Sequence, residues 1–196
     1  LALRRILNAV HGNGHMELDA RFIEAMRGVL RHGELDAAFK ELVLTLPSEA
    51  YVAEQLEVVD PQRIHTAREG IKQQLARALH HDWEWAYERH HDSGAYSPDA
   101  VSSGRRALAN LALSMLVLDA QTRHNQIWPG KALQRFKDAT NMTDRLGALA
   151  ALVNAHSELA TVPLERFHAQ FKNEALVIDK WFTLQVTAPE HEGQVF

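Results

Sequence analysis

The sequence predicts an all-α protein of roughly eight or nine helices joined by short connections. Apolar residues recur at spacings of three and four along most of the 196 residues, as they do on one face of a helix. Helix start signals recur as well, because Asp60-Pro61 and Ser97-Pro98 each place a capping side chain beside a proline. No alternation of apolar and polar residues persists, so strands are not expected.

Helix-breaking glycine and proline residues divide the first part of the chain into separate predicted helices. In residues 1–10 the apolar residues already have the spacing of a helix. A second apolar helix face is predicted over residues 18–30, and Gly33 is expected to end it. The same period continues over residues 35–46 and ends at Pro47. Three helices are therefore expected in this part of the chain.

The next segment is predicted to hold a short helix and a long one. Ser48 is the expected N-cap of a short helix that continues through Leu56. Asp60-Pro61 then starts a long helix, because the Asp carboxylate can accept from free amides while proline has no N–H to lose. Its apolar face reaches Trp83, and the Asp-Ser-Gly sequence at 92–94 is expected to end it.

The last part of the chain contains the most apolar segment. Residues 101–118 are apolar nearly all round at their end, which predicts a central, buried helix. Trp128-Pro129-Gly130 is expected to break the pattern, and either Asn141 or Thr143 is expected to cap the helix that follows. A final helix is expected over residues 175–186.

Two architectures satisfy this helix pattern. One is an irregular α-solenoid, or superhelix, of antiparallel helix pairs, and the other is an irregular helix bundle. No fixed-period repeat is visible, so a solenoid would be irregular. Because no flexible linker divides the chain, residues 1–196 are expected to form a single helical domain.

Composition excludes several functional classes. The chain has 21 Lys and Arg against 25 Asp and Glu, so it lacks the basic surface that nucleic acids require. No apolar stretch approaches the roughly 20 residues of a membrane span, so neither nucleic acid nor membrane is an expected partner. The absence of cysteine rules out disulfides, thiolate zinc sites and a cysteine nucleophile, and it is typical of a reducing compartment. A cytoplasmic location is expected.

The 12 histidines raise the question of a metal site. Two pairs, His80-His81 and His90-His91, bracket an aromatic and acidic segment, and one face of a continuous helix would carry four donors: His80, Glu84, Glu88 and His91. Such a face could bind a divalent metal, or it could be a solvated polar stripe opposite the core. Because a zinc site normally draws ligands from a second element, the solvated stripe is the favoured interpretation. No metal ligand is therefore assigned in this chain.

Other catalytic patterns are incomplete. His191-Glu192-Gly193-Gln194-Val195 begins like the zinc-binding His-Glu-x-x-His helix, but a valine stands where the second histidine is needed. The serines have no Gly-x-Ser-x-Gly setting, so a serine hydrolase is not indicated. Arg105 and Arg106 could hold a carboxylate, and an ordinary salt bridge beside Asp99 is the favoured interpretation. No catalytic constellation is predicted.

Several strings between residues 44 and 189 follow one another in a recognisable order and spacing. They are Leu44-Thr45-Leu46-Pro47-Ser48-Glu49, Val59-Asp60-Pro61, Gly104-Arg105-Arg106-Ala107-Leu108-Ala109-Asn110-Leu111, Ala139-Thr140-Asn141-Met142-Thr143-Asp144 and Asp179-Lys180-Trp181-Phe182-Thr183-Leu184-Gln185. Together they resemble the bacterial zinc-dependent aminopeptidase N family. Gly14-His15-Met16-Glu17-Leu18 is similar to the family's Gly-x-Met-Glu-Asn segment, but Leu18 replaces the Asn, so it is interpreted as the lead into a helix.

The resemblance implies a fragment of the family's C-terminal helical domain, without the catalytic domain. In that family the domain caps the active-site cavity of an enzyme that removes N-terminal amino acids from peptides. The resemblance also implies one zinc ion in the full-length parent, held by a His-Glu-x-x-His motif and a distant Glu that this chain lacks. No catalytic, substrate-binding or metal-binding residue is therefore carried over. The implied partners are the remainder of the same polypeptide and the peptide substrates of the parent.

Two other functions remain open from the sequence. A stand-alone helical scaffold could bind a peptide or protein on a concave face, and the histidine pairs could store or sense a metal. The chain starts without Met and ends abruptly after an apolar segment, which favours a fragment over a complete scaffold. The fragment is expected to be inactive alone.

Overall fold

The computed structural model describes residues 1–12, 14–91 and 94–189, and within them every regular element is helical. The predicted all-α class is thus confirmed, with eleven α-helices in the described residues in place of the eight or nine expected. In chain order they are α1 (Ala2–His11), α2 (Ala20–Arg31), α3 (Ala37–Leu44), α4 (Glu49–Ala53), α5 (Pro61–Ala78), α6 (His80–His90), α7 (Ala100–Thr122), α8 (Ile127–Asp138), α9 (Met142–Asn154), α10 (Thr161–Phe171) and α11 (Ala175–Val186), with a short 3-10 helix at Glu158–Ala160.

Side-chain caps fix where many of these helices begin. In each case an oxygen of the capping residue accepts from the backbone N–H three residues later, which satisfies a donor that the helix itself cannot. The capping residues are Asp19, Asp36, Ser48, Asp60, Asp99 and Asn141. The expected caps at Ser48 and Asp60 are confirmed, and Asn141 rather than Thr143 caps α9. Helix α7 is capped by Asp99 rather than by Ser97, the cap expected before Pro98. The Ser97 hydroxyl donates a hydrogen bond to Asp99 Oδ2 at 2.5 Å.

The long helix expected from Asp60 is two helices, because the chain breaks at Leu79. The backbone there adopts φ −108° and ψ 21°, so α5 and α6 pack against the core as separate elements. The Trp83 indole N–H donates to the Leu75 carbonyl at 3.2 Å and thereby binds part of the C-terminal end of α5. The second helix ends at His90; Asp92 and Ser93, expected to end it, lie outside the described residues.

Two further boundaries differ from the sequence prediction. Trp128-Pro129-Gly130 does not break a helix but lies in the first turn of α8, where a proline is tolerated because its missing N–H is not needed. The break comes just before, at His124, which has a left-handed φ of 51°. The short helix capped by Ser48 ends at Ala53 rather than at Leu56.

The predicted central helix is confirmed. Helix α7 packs against α3, α5, α6, α8 and α9, which surround it. Its core residues are fully buried; they include Leu108, Ala112, Leu113, Leu116 and Val117. None of the helices in the described part of the chain combines the length and apolar character needed to cross a membrane.

A close approach of α3 to α7 requires a glycine at position 104. A Cβ added to Gly104 would lie 2.8 Å from the Ala38 backbone nitrogen and 2.9 Å from the Ala38 Cβ. We expect Gly104→Ala to lower the free energy of unfolding by about 1–3 kcal/mol, because the strain of overpacking exceeds the helix-propensity gain of about 1 kcal/mol. Urea denaturation followed by circular dichroism measures this difference.

Gly70→Ala is the matched control, since Gly70 also lies inside a helix but has no atom within 4 Å of an added Cβ. This variant should raise the free energy of unfolding by about 0.5–1 kcal/mol. A stabilising effect from both substitutions would show that α3 and α7 do not approach as closely as described.

Candidate functional site

The C-terminal helix α11 carries an apolar surface that nothing in the described residues covers. None of its residues is buried. We define the α11 face as Leu176, Phe182 and Val186, whose exposed fractions are 80%, 55% and 68%. Monomeric proteins rarely leave such a set of large apolar residues together on one helix, so the α11 face is a candidate contact surface.

The opposite side of α11 is anchored to the domain through Trp181. Its indole N–H donates to the Leu164 carbonyl of α10 at 3.0 Å, and its ring lies 4.9 Å from the ring of His168. Val177 and Leu184 pack against the core on the same side. The helix is therefore held in place while the α11 face points away from the described residues.

Three cationic side chains surround Trp85 of α6. Arg31, Lys40 and Arg89 lie 4.5, 5.8 and 5.8 Å from the ring of Trp85, at distances suited to cation–π contact. Lys40 is only 3% exposed, and burial together with the charge of Arg89 lowers the pKa of its amine. Beside this group, Arg89 and Arg105 line a cleft of about 690 Å³ between α3, α6 and α7. Asp36 lines the same cleft, so the charge of the cleft is mixed.

The histidines are brought together differently from the sequence prediction. His80 and Glu84 do meet, with His80 Nε2 and Glu84 Oε1 3.2 Å apart, but the third group beside them is His81. Glu88 is exposed, and His91 lies past the last residue of α6, with its ring 5.2 Å from that of Tyr87. Among the described residues, the three ligating groups that come together are His80, His81 and Glu84, and neither Glu88 nor His91 belongs to that group.

His80 is also not part of a solvated stripe. Its side chain is 20% exposed, and its Nδ1 lies 2.8 Å from Oδ2 of the fully buried Asp119 on α7. In the second histidine pair, His90 makes a contact of its own: its Nδ1 lies 2.9 Å from the Ala86 carbonyl, and burial lowers the pKa of the His90 ring. Sequence spacing could not reveal Asp119, since it belongs to another helix.

The expected salt bridge at Asp99 is absent from the described residues. Asp99 instead caps α7, accepting from the Ser102 N–H at 2.9 Å. Arg105 donates to the Arg89 carbonyl at 3.3 Å, and Arg106 donates to the Ser97 carbonyl at 2.8 Å. Both arginines therefore bind backbone carbonyls, because the carboxylate is already engaged by the helix start.

Two motif-like segments have separate outcomes. Gly14 has a left-handed φ of 82°, and Gln74 of α5 fixes the segment after it by donating to the Met16 carbonyl at 2.6 Å and accepting from the Leu18 N–H at 2.8 Å. This agrees with a lead into α2. The His-Glu sequence at 191–192 lies outside the described residues.

Comparison with known proteins decides the family. A family model described as "Domain of unknown function (DUF3458_C) ARM repeats" matches residues 1–195. The chain belongs to the DUF3458_C family. The ARM-repeat description of this DUF3458_C domain agrees with the predicted α-solenoid of helix pairs.

Relatives of this DUF3458_C domain are aminopeptidases. The chain is 33% identical over 175 residues to aminopeptidase N of Caulobacter vibrioides, covering 89% of this chain and 20% of the relative. It is 30% identical to aminopeptidase N of Haemophilus influenzae, covering 96% of this chain and 21% of the relative. The expected resemblance to aminopeptidase N and its C-terminal helical domain is confirmed. The chain spans about one fifth of the length of these relatives.

A solved structure has the same fold. The crystal structure of Legionella pneumophila aminopeptidase A in complex with aspartic acid matches with a TM-score of 0.79 at 25% identity. The match covers 96% of this chain and 23% of that protein. In these relatives the domain forms part of a much longer polypeptide.

Two of the strings that resemble aminopeptidase N have structural roles in this DUF3458_C domain. Asn141 caps α9, and Asp144 pairs with Arg135 at 3.0 Å between α9 and α8. In the Asp-Lys-Trp-Phe string, Trp181 anchors α11 while Phe182 belongs to the α11 face. These residues fix helix positions, so the strings indicate the fold rather than catalysis.

Proposed function

We propose that this chain is a non-catalytic helical domain of a longer zinc metallo-aminopeptidase, in which it caps the active-site cavity. The observation that carries the proposal is the match of nearly the whole chain to one fifth of aminopeptidase N relatives. A domain of this kind acts by enclosure, because a rigid helical surface restricts water and large substrates without supplying chemistry. Its parent would remove N-terminal amino acids from peptides.

The zinc of such a parent does not fit the residues of this chain. The sequence contains no His-Glu-x-x-His motif, so the pair of histidines and the glutamate that would activate water must come from elsewhere in the polypeptide. Residues 1–196 therefore act as one domain that supplies no catalytic group. We also propose a cytoplasmic location, which the absence of cysteine supports.

The α11 face supports a partner within the same polypeptide. Large apolar side chains gain free energy when they leave water, so a group of them exposed on one helix indicates a contact surface. We infer that another apolar surface packs on the exposed Leu176, Phe182 and Val186. The proposed packing partner of the α11 face is the remainder of the same polypeptide.

The test mixes the purified chain with the rest of its polypeptide, expressed separately from the same reading frame. We expect association, and we expect the double variant Leu176→Asp/Phe182→Asp to weaken it at least about tenfold, because buried charges would replace apolar contacts. Isothermal titration calorimetry measures the dissociation constants. The isolated chain should not hydrolyse an alanyl chromogenic amide, even with added zinc.

The control is Val58→Asp/Val101→Asp, which makes the same charge change at two residues that are 84% and 73% exposed elsewhere. It should leave association unchanged. Equal weakening by both double variants would contradict the role of the α11 face. Turnover above that of a heat-treated sample would contradict the non-catalytic assignment, and a reading frame without a His-Glu-x-x-His motif would favour the stand-alone scaffold.

A further inference from the structure

The first turn of α6 brings three metal-ligating side chains together. One ligand atom each from His80, His81 and Glu84 lie within 4.8 Å of one another. His80 Nε2 is 3.2 Å from Glu84 Oε1, and His81 Nδ1 is 3.0 Å from Glu84 Oε2. In a tetrahedral zinc site with bonds of about 2.0–2.2 Å, ligand atoms are about 3.3–3.6 Å apart. Each imidazole already lies near that spacing from one oxygen of Glu84, and a small rotation of the carboxylate would bring a single oxygen toward both nitrogens.

A buried carboxylate from a second helix orients His80. Asp119 of α7 has a fully buried side chain, and its Oδ2 lies 2.8 Å from His80 Nδ1. The two atoms face each other without an aligned hydrogen bond, so a small rotation of the imidazole would complete one. Arg123 holds the same carboxylate at 2.9 Å. This contact leaves His80 Nε2 as the outward nitrogen, as in the carboxylate–histidine–metal arrangement.

Glu84 is likewise held from a second element. The Trp128 side chain donates a hydrogen bond to the Glu84 carboxylate, and His81 Nδ1 lies 3.0 Å from Oε2 of the same carboxylate. Trp128 belongs to α8. The Glu84 carboxylate is thus held by groups on two helices.

We propose that His80, His81 and Glu84 form a three-ligand site for a divalent transition metal of the zinc type, with Asp119 as a positioning residue. Two imidazole nitrogens and one carboxylate oxygen favour zinc over magnesium or calcium, which prefer all-oxygen ligands. A water molecule would complete the tetrahedron. His81 is 90% exposed at its side chain, so its ring can rotate toward an ion without disturbing the core.

The proposal departs from the sequence prediction of no metal ligand in this chain. That prediction rested on the lack of ligands from a second element; here all three ligands lie on α6, and the other helices supply the positioning groups Asp119 and Trp128. The helix N-terminus is a positive end and opposes a cation, so the affinity is expected to be micromolar rather than tighter.

The test titrates metal-free chain with zinc chloride in a calorimeter. We expect one micromolar site, and we expect His81→Ala and Glu84→Gln each to weaken it at least about tenfold, because each removes a ligand. Cobalt(II) in place of zinc should give the strong visible absorption of a tetrahedral site, and both variants should lose it. Since His81 is exposed, circular dichroism of His81→Ala should show an unchanged fold.

The matched control is His65→Ala. His65 Nδ1 lies 2.8 Å from Glu49 Oε1, which resembles the His81–Glu84 pair, but no third ligand lies near it in the described residues. This control should bind zinc as the unchanged chain does. Equal effects of His81→Ala and His65→Ala, or a weak octahedral cobalt spectrum, would overturn the proposed site.

Discussion

Replacing Trp83 with alanine should lower the free energy of unfolding by about 3–5 kcal/mol, because truncating a buried aromatic side chain removes its contacts and leaves a cavity in the core. Trp83 is 1% exposed and lies just after the break between α5 and α6. Its loss also removes the indole donor that binds the Leu75 carbonyl at 3.2 Å. Thermal and urea unfolding, followed by circular dichroism, would measure the change.

Two companion variants separate the contributions. Trp83→Phe keeps most of the ring but loses the donor, so it should cost less than the alanine variant. Phe182→Ala removes an aromatic ring that is 55% exposed, and its effect should stay within about 0.5 kcal/mol. If Phe182→Ala lowered the free energy of unfolding as much as Trp83→Ala, the described difference in burial between Trp83 and Phe182 would be contradicted.

The helix starts were predictable because their causes are local. Asp60 and Ser48 cap their helices through bonds that span only three residues, so composition and spacing are enough to identify them. Leu79 could not be identified as a break in this way, because Leu75, Leu79 and Trp83 continue the helical period through it. The break depends on how the two helices pack on the core, which is tertiary information.

The same distinction applies to the candidate sites. The one-turn spacing of His80 and Glu84 is visible in the sequence, but the approach of Asp119 is set by the packing of α6 on α7. The apolar character of α11 is visible too, whereas its sequence does not say which side stays uncovered. Trp181 decides that side by binding the Leu164 carbonyl.

The buried ion pair between α8 and α9 carries the second large expected effect. The side chains of Arg135 and Asp144 are 9% and 4% exposed, and their closest atoms are 3.0 Å apart. Asn141 donates from Nδ2 to Asp144 Oδ2 at 2.7 Å, and the Asp144 N–H donates back to Asn141 Oδ1 at 2.9 Å. This reciprocal pair works like a capping box and places the carboxylate against the arginine.

Asp144→Ala should therefore lower the free energy of unfolding by about 3–5 kcal/mol, because it removes the buried carboxylate that faces the Arg135 guanidinium at 3.0 Å. The double variant Arg135→Met/Asp144→Leu should recover much of that loss, since well-packed apolar residues can replace a buried pair at little cost. A double-mutant cycle on urea unfolding measures the coupling. Purely additive effects would show that the two charges do not stabilise each other. Strong coupling would show that the Asn-Met-Thr-Asp string at residues 141–144 stabilises the fold, a role that needs no contact with substrate.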